Sequence, residues 1–330
     1  MADEEMDMTF TDLSKFRKKR QIPPYPLVGI VGQQVMKKAI LLVASSPAIG
    51  NIILIGEAGT AKSTSARGLR DILPEVDIVN GCDYNCDPRN KANLCQDCRS
   101  SVAELSYSSR RLPLLELPIG ASERRIFGGF DSQSRLKSGY IGQVNRGYLL
   151  IARANLLDPE LLNHILDISE LGMHKSNQKH GDFTHPARFN VIATMNPEDG
   201  ELEQDVMERF AMAVNVQSIR DIEERIEIVR RVEAYRQDPE DFVNRNRREM
   251  EAFSQRVKRA RDLVNRVDMP KKVDEAISKI LKKMGQENDR ARKALTEAAL
   301  ANAAFSDRVW ATVDDVAEVA DLVLGHRVRE

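Results

Sequence analysis

The sequence predicts an α/β fold with a parallel central sheet, followed by an all-helical region. Between about residues 27 and 218, short runs of β-forming residues alternate with helical stretches, which is the pattern of parallel strands joined by crossover helices. From about residue 219 onward the alternation stops and apolar residues recur at helical spacing. We therefore expect an N-terminal arm over residues 1–26, an α/β domain over 27–218 and a helical domain over 219–330.

The helical region contains three clear segments. In the first, one helix face carries Ile222, Ile226, Val229 and Val232. In the second, one face carries Ala291, Leu295, Ala298 and Ala299. A last helix is expected over Val313–Leu324, with Thr312 as N-cap because its hydroxyl can accept a backbone N–H bond.

Composition and charge narrow the class of protein. The 330 residues include 49 basic and 50 acidic side chains, so no global basic field indicates nucleic acid, and the basic stretch Arg17–Arg20 is short. No apolar run approaches the ~20 residues that a membrane span requires. The acidic N-terminus has no signal-peptide core, and we expect a cytoplasmic protein without a membrane partner.

A phosphate-binding loop is the clearest motif. The apolar strand Asn51–Ile55 runs into a Gly-rich loop, and Ser65–Leu73 has a helical pattern, which is the context that a P-loop requires. The loop and first helical turn comprise Gly56, Glu57, Ala58, Gly59, Thr60, Ala61, Lys62, Ser63 and Thr64. We expect Lys62 to reach the β- and γ-phosphates of ATP and Ser63 to bind Mg²⁺. A chance Gly-rich turn is the alternative.

One position of this loop departs from the usual motif. Ala61 stands where the last glycine is usual. We expect its methyl group to be tolerated if φ stays negative there, although it could crowd the phosphates.

All four cysteines of the chain lie within 17 residues, namely Cys82, Cys86, Cys95 and Cys98. The two pairs, C-x3-C and C-x2-C, can place four thiolates around one ion, so the spacing favours structural Zn²⁺. An iron–sulfur cluster and four free thiols are the alternatives.

The chain resembles the small AAA+ ATPase subunit of magnesium chelatases, with MoxR-type ATPases as the next relatives. Besides the P-loop, the segments that carry the resemblance are Val31–Gln34, Pro47–Gly50, Leu117–Arg125, Gly128, Asn145–Gly147, Asn155–Leu157, His185–Phe189, Met195–Leu202, Glu208–Phe210 and Leu324–Arg329. The resemblance implies an AAA+ fold in an ATP-dependent, hexamer-type homo-oligomeric ring. It also implies a partner AAA+ subunit with an integrin-like domain and a large subunit on which metal enters a porphyrin.

The resemblance implies roles for three further residues. Asn196 matches the sensor-1 residue that orients the γ-phosphate or water. Arg209 matches the arginine finger that enters a neighbouring subunit's site, and Arg290 is the best match for the sensor-2 arginine. A turn at Asn196 and surface ion pairs at the two arginines are the alternatives.

The second strand of the ATPase site departs from the family. After Tyr148–Ile151, where a working Walker B strand carries Asp and Glu, this chain has Ala152 and Arg153. Alanine offers no oxygen to Mg²⁺ and arginine cannot act as a base, so we expect weakened Mg²⁺ binding and slow or absent hydrolysis. Rescue by Asp158 or Glu160 is an alternative, and Arg153 could itself pair with the γ-phosphate.

The segment between Gly129 and Asn145 is shorter than in the family, so partner contacts made there need not transfer. Two functional hypotheses remain. The chain is either an AAA+ motor of chelatase or MoxR type, or a pseudo-ATPase that binds ATP and serves as a ring scaffold or regulator. A MoxR-like chaperone role without tetrapyrrole metallation belongs to the second group.

Overall fold

The computed structural model describes residues 22–101, 105–130, 136–178 and 181–327. The strands are β1 Ile52–Ile55, β2 Glu75–Val79, β3 Tyr107–Arg111, β4 Leu114–Glu116, β5 Gly128–Phe130, β6 Leu136–Ser138, β7 Tyr148–Ile151, β8 Met173–Gln178, β9 Gly181–Pro186, β10 Asn190–Met195 and β11 Met212–Asn215. The helices are α1 Gln34–Ser45, α2 Lys62–Gly68, α3 Gln96–Ser100, α4 Glu123–Phe127, α5 Tyr140–Gln143, α6 Pro159–Leu171, α7 Gln204–Met207, α8 Ile222–Gln237, α9 Pro239–Arg245, α10 Arg247–Leu263, α11 Lys271–Lys283, α12 Asp289–Phe305 and α13 Val313–Leu324.

A five-stranded parallel sheet forms the centre of the fold, in the order β11-β1-β10-β7-β4. Its strands are short apolar runs because both faces of the sheet are covered. In β1, for example, Ile52, Ile53 and Leu54 are fully buried. Since the strands are parallel, their carboxyl ends lie at one edge, and the segments that follow β1, β7 and β10 meet there.

Two apolar clusters cover the two faces of this sheet. Ile53 of β1 packs with α6 and with the β7 and β10 side chains on its face. Ile52 and Leu54 point the other way, into a cluster that contains α1 and continues into α10, α12 and α13. The helical region therefore shares a core with the sheet. Every described element after β11 is a helix, short 3₁₀ turns included, so the predicted fold class is confirmed.

The three predicted helical segments are all helices. Ala291, Leu295, Ala298 and Ala299 are fully buried in α12, where small side chains allow close packing. Thr312 caps α13 through a reciprocal capping box with Asp315. By contrast, the apolar face of α8 is not in the core, since Ile222 is 72% exposed.

The start of the chain falls partly outside the described residues, including the predicted amphipathic segment and Arg17–Arg20. Residues 22–26 form neither helix nor strand. Tyr25 packs its ring against Tyr235 of α8 and Phe242 of α9 and donates its hydroxyl to the Gly29 carbonyl. The end of the expected arm is thereby attached to the helical region.

Three antiparallel hairpins extend the α/β part, formed by β2 with β3, β5 with β6, and β8 with β9. The shortened segment of the sequence forms β5, β6 and α5, with residues 131–135 outside the described ranges. Within the described ranges, the structure contains no helix long and apolar enough to cross a membrane.

Candidate functional site

The predicted P-loop joins β1 to α2 at the carboxyl edge of the sheet. Gly56 has φ +156°, and a Cβ there would lie 2.1 Å from the Val216 carbonyl oxygen, so only glycine fits. Ala61 has φ +64°, in the left-handed region, so the condition under which its methyl group was expected to be tolerated is not met. Its methyl group costs about 1 kcal/mol in that conformation. The turn is held by Ser65, whose N–H and hydroxyl both donate to the Ala61 carbonyl.

Lys62 places its ammonium group inside this loop. Its Nζ donates to the carbonyls of Gly56 and Glu57, both at 2.6 Å, and lies 3.1 Å from Thr60 Oγ1. Burial lowers the pKa of Lys62, and the positive charge of Arg153 lowers it further. Phosphate oxygens would replace backbone carbonyls as partners of a positive charge that is already fixed in place.

Arg153 is tied to the P-loop helix through a chain of two hydrogen bonds. Arg153 follows β7 with φ +54°, and its N–H donates to Thr194 Oγ1 of β10 at 3.1 Å. Thr194 Oγ1 lies 3.4 Å from Ser63 Oγ. Ala152 and Arg153 therefore lie at the carboxyl end of β7, beside the oxygen predicted to bind Mg²⁺.

Neither acidic residue considered for rescue lies in this arrangement. Asp158 caps α6 by accepting the Leu161 N–H, and Glu160 is in the first turn of that helix. Both are at the start of the next element, outside the cavity beside the P-loop.

Asn196 follows β10 and is buried. Its Oδ1 accepts the Glu198 N–H at 3.4 Å and its Nδ2 lies 3.3 Å from Glu198 Oε2, so it caps the turn that follows. It also lines the cavity beside Lys62. The turn interpretation therefore describes its local contacts, and the sensor-1 role remains a prediction.

A cavity of about 1050 Å³ opens between the P-loop, the ends of β7 and β10, and α8. The cationic side chains that line it are Lys62, Arg153, Arg220, Arg225 and Arg236. No aspartate or glutamate of the described residues lines it. Sequence reasoning missed the three arginines at positions 220–236, since the pattern of a helix does not reveal which surface it faces.

The donors in this cavity suit the phosphate groups of ATP, and its residues offer few ligands to Mg²⁺. Loop N–H groups, the N-terminus of α2 and Lys62 are the usual partners of phosphates. Mg²⁺ is normally held by carboxylates, whereas Ser63 and Thr194 offer only neutral hydroxyls.

Arg209 and Arg290 lie away from the cavity. Arg209 donates to Glu170 at 2.9 Å and to Asp167 at 2.6 Å, and its side chain is only 11% exposed. Arg290 lies 3.6 Å from the other Glu170 oxygen. The structure thus brings the two arginines together on α6. The ion-pair interpretation describes their contacts within one chain, and no sequence signal indicated Glu170 as their shared partner.

The four cysteines form a compact cluster between β2 and β3. Their Sγ atoms all lie within 4.8 Å of one another, and Cys82 Sγ is 3.8 Å from Cys95 Sγ. Two backbone N–H groups point at sulfur, from Tyr84 to Cys82 at 3.3 Å and from Cys95 to Cys86 at 3.1 Å. The neighbouring thiols of Cys86 and Cys95 lower the pKa of Cys82 to about 2. No disulfide links them.

Tyr84 connects this cluster to the rest of the domain. Its ring stacks on His185 of β9 with centroids 4.5 Å apart, and its carbonyl accepts from Asn145 Nδ2 at 2.6 Å. A Cβ on Gly142 of α5 would lie 2.8 Å from the Tyr84 ring, so this close contact requires glycine.

Comparison with known proteins identifies the family. The family described as magnesium chelatase, subunit ChlI, matches residues 27–237, and an AAA lid domain matches residues 274–330. A magnesium-chelatase subunit ChlI homolog of Methanocaldococcus jannaschii is 38% identical over 314 residues, covering 92% of this chain and 86% of the relative. The ChlI subunit of Cyanophora paradoxa is 33% identical, covering 95% and 93%.

Solved structures agree with this result. A chain from the cryo-EM-based complex between subunits BchI and BchD of magnesium chelatase has 30% identity and a TM-score of 0.54, covering 93% of this chain and 97% of that one. A putative ATPase from Cytophaga hutchinsonii, 18% identical with a TM-score of 0.59 over 91% and 84%, shares the fold. The AAA+ fold with its helical lid is therefore established, and this chain belongs to the magnesium chelatase subunit ChlI family.

Proposed function

We propose that this chain is an ATP-binding AAA+ ring subunit that hydrolyses ATP very slowly or not at all and acts together with a partner subunit. One observation carries the proposal. A P-loop that retains Lys62 and Ser63 and the Ala152–Arg153 pair lie at the same edge of the sheet, linked through Thr194. The site therefore keeps its groups for holding phosphates and lacks the acidic pair for reaction.

The binding part rests on Lys62 and the loop around it. Family membership implies use of ATP and Mg²⁺ in general. In this chain Lys62 is buried and held by two loop carbonyls, so its charge is fixed where phosphates would lie. A charge held in place is a stronger partner than a mobile surface lysine.

The reaction part lacks two carboxylates. Phosphoryl transfer in P-loop sites requires a metal that neutralises charge and a group that orients the attacking water. Ala152 and Arg153 supply neither, and Ser63 and the neighbouring Thr194 offer the metal only neutral hydroxyls, so Mg²⁺ binding is weakened. Loss of a general base alone typically costs ~10²–10⁴-fold in rate.

Assembly into a hexamer-type homo-oligomeric ring is the third part of the proposal. The solved relative is a complex between subunits BchI and BchD, which supports a ring with a chelatase partner. The partner proposed here carries an integrin-like domain. Arg209 lies outside its own cavity, and we propose that it enters a neighbour's site, with Asn196 and Arg290 as sensor residues.

Within this proposal the cellular role has two forms. The subunit supports tetrapyrrole metallation with a chelatase partner, or it is a pseudo-ATPase scaffold or MoxR-like chaperone that has no part in metallation. The slow site favours a scaffold or regulator over a motor, since a motor needs repeated turnover.

The proposal is tested by measuring turnover and assembly on the same purified chain. We expect very slow or undetectable phosphate release, together with nucleotide-dependent assembly in analytical ultracentrifugation. Rapid hydrolysis that is lost on Asp158→Asn or Glu160→Gln would contradict the proposal, because it would make one of those residues the missing carboxylate.

We also propose that the cysteine cluster binds one structural Zn²⁺. A tetrahedral site with Zn–S bonds of about 2.3 Å has sulfurs about 3.8 Å apart, as Cys82 and Cys95 are. The N–H groups of Tyr84 and Cys95 aimed at sulfur stabilise thiolate charge. The compact spacing favours a single ion over a cluster of several irons.

Metal analysis of protein purified without added zinc tests this site. We expect about one zinc per chain, and a lower melting temperature after chelation or in Cys86→Ser, because the metal orders residues 82–98. Metal-free protein with four titratable thiols and an unchanged melting temperature would remove the zinc proposal. If the analysis finds iron in stoichiometric amount and no zinc, the cluster is an iron site and the zinc proposal is wrong.

A further inference from the structure

We propose that Arg153 supplies the positive charge that Mg²⁺ supplies in related sites, so that nucleotide binds to this chain equally well with and without a divalent cation. This inference rests on the proposed nucleotide binding and adds which cofactor that binding requires. It predicts an ATP site whose counter-charge is part of the polypeptide.

The position of Arg153 is the first support. Its backbone is two hydrogen bonds from Ser63 Oγ, through Thr194 Oγ1. Ser63 Oγ is the hydroxyl that carries the metal in a P-loop. The residue after β7 is therefore anchored beside the place where Mg²⁺ would bridge phosphates, and its side chain lines the same cavity as Lys62.

The exposure of the Arg153 guanidinium and its weak ion pair are the second support. The Arg153 side chain is 54% exposed, and its Nε lies 3.7 Å from Asp199 Oδ2. An ion pair of that length and exposure contributes little, so exchanging it for a phosphate costs little. Arginine presents a planar fork of donors that matches phosphate oxygens.

The charge balance of the cavity is the third support. Its lining carries Lys62 and four arginines, with no aspartate or glutamate among the described residues. The carboxylates beside the cavity have partners already. Glu57 accepts from Ser218 and Glu198 accepts from Asn196. Asp199 loses its partner when Arg153 moves to a phosphate, which leaves one carboxylate beside a lining of five cationic side chains. Metal-free ATP carries more negative charge than its Mg²⁺ complex, and the positive lining can offset that additional charge without a divalent cation.

The test is a titration of the full chain with a fluorescent ATP analogue, once with excess Mg²⁺ and once with excess EDTA. We expect the two dissociation constants to agree. Arg153→Ala should weaken binding in EDTA by about 10–100-fold, since a hydrogen bond to a charged group contributes about 1.5–3 kcal/mol. Arg153→Lys should recover part of that loss. Arg230→Ala, an exposed arginine of α8 outside the cavity, is the matched control.

The outcomes separate this inference from the proposed function. Binding that occurs only with Mg²⁺, or an Arg153→Ala variant that melts normally and binds normally in EDTA, overturns the role of Arg153 and leaves nucleotide binding intact. Absence of binding in both conditions overturns the proposed function and this inference together. Ala152→Asp combined with Arg153→Ala should make binding dependent on Mg²⁺, which tests the exchange in the opposite direction.

Discussion

The carboxyl ends of β1 and β7 border the same cavity, and they differ in which residues of an ATPase site they carry. Both strands are buried and both flank β10. β1 ends in a loop that holds Lys62 among carbonyls, whereas β7 ends in Ala152 and Arg153. The last paired residue of β7 is Ile151, opposite Ala193, so no sheet contact depends on the side chains that follow. The pairing of β7 therefore does not require an acidic pair at positions 152 and 153.

Placing an acidic pair after β7 should have the largest effect of the substitutions considered, and the quantity that changes is the ATPase rate. Ala152→Asp with Arg153→Glu should raise the ATPase rate by ~10²–10⁴-fold, because the pair returns a metal ligand and a group that orients water. Each single substitution should give much less. A double variant that binds nucleotide yet stays as slow as the unmodified chain would mean that the site lacks a further group.

Removing Lys62 tests the end of β1, where we propose that the phosphates of ATP bind. Lys62→Ala should lower ATP affinity about 10–100-fold, measured by the same fluorescent titration, because the charge that contacts the phosphates is lost. Lys258→Ala, an exposed lysine of α10, is the control. Unchanged ATP affinity in Lys62→Ala would contradict the proposal that ATP binds at the P-loop.

Local motifs were predictable from the sequence. The strand Tyr148–Ile151 has the predicted bounds, and the first strand begins one residue later than expected, at Ile52. The cysteine spacing predicted thiols close enough to share an ion, because both pairs lie on one short loop. The conformation of Ala61 did not follow from its residue type, since the loop imposes a left-handed residue there whatever side chain is present.

Long-range packing could not be predicted in the same way. Apolar residues at helical spacing indicated α8, but spacing alone does not distinguish a buried face from an exposed one, and Ile222 is exposed. The arginines of the cavity belong to that region, more than 150 positions after the P-loop. Their arrival beside Lys62 depends on how the helical region packs on the sheet, and that is set by many distant contacts.

Tyr84 has a consequence for how the molecule opens. Its backbone N–H contacts the Cys82 sulfur, its ring lies on His185, and its carbonyl is held by Asn145. The cysteine loop, Asn145 and β9 thus meet at the backbone and ring of one buried residue. A buried ring shared by two segments couples their opening, since neither can move away without exposing it. We therefore expect the cysteine loop and the β8–β9 hairpin to open together, although Tyr84 and His185 are about 100 positions apart along the chain.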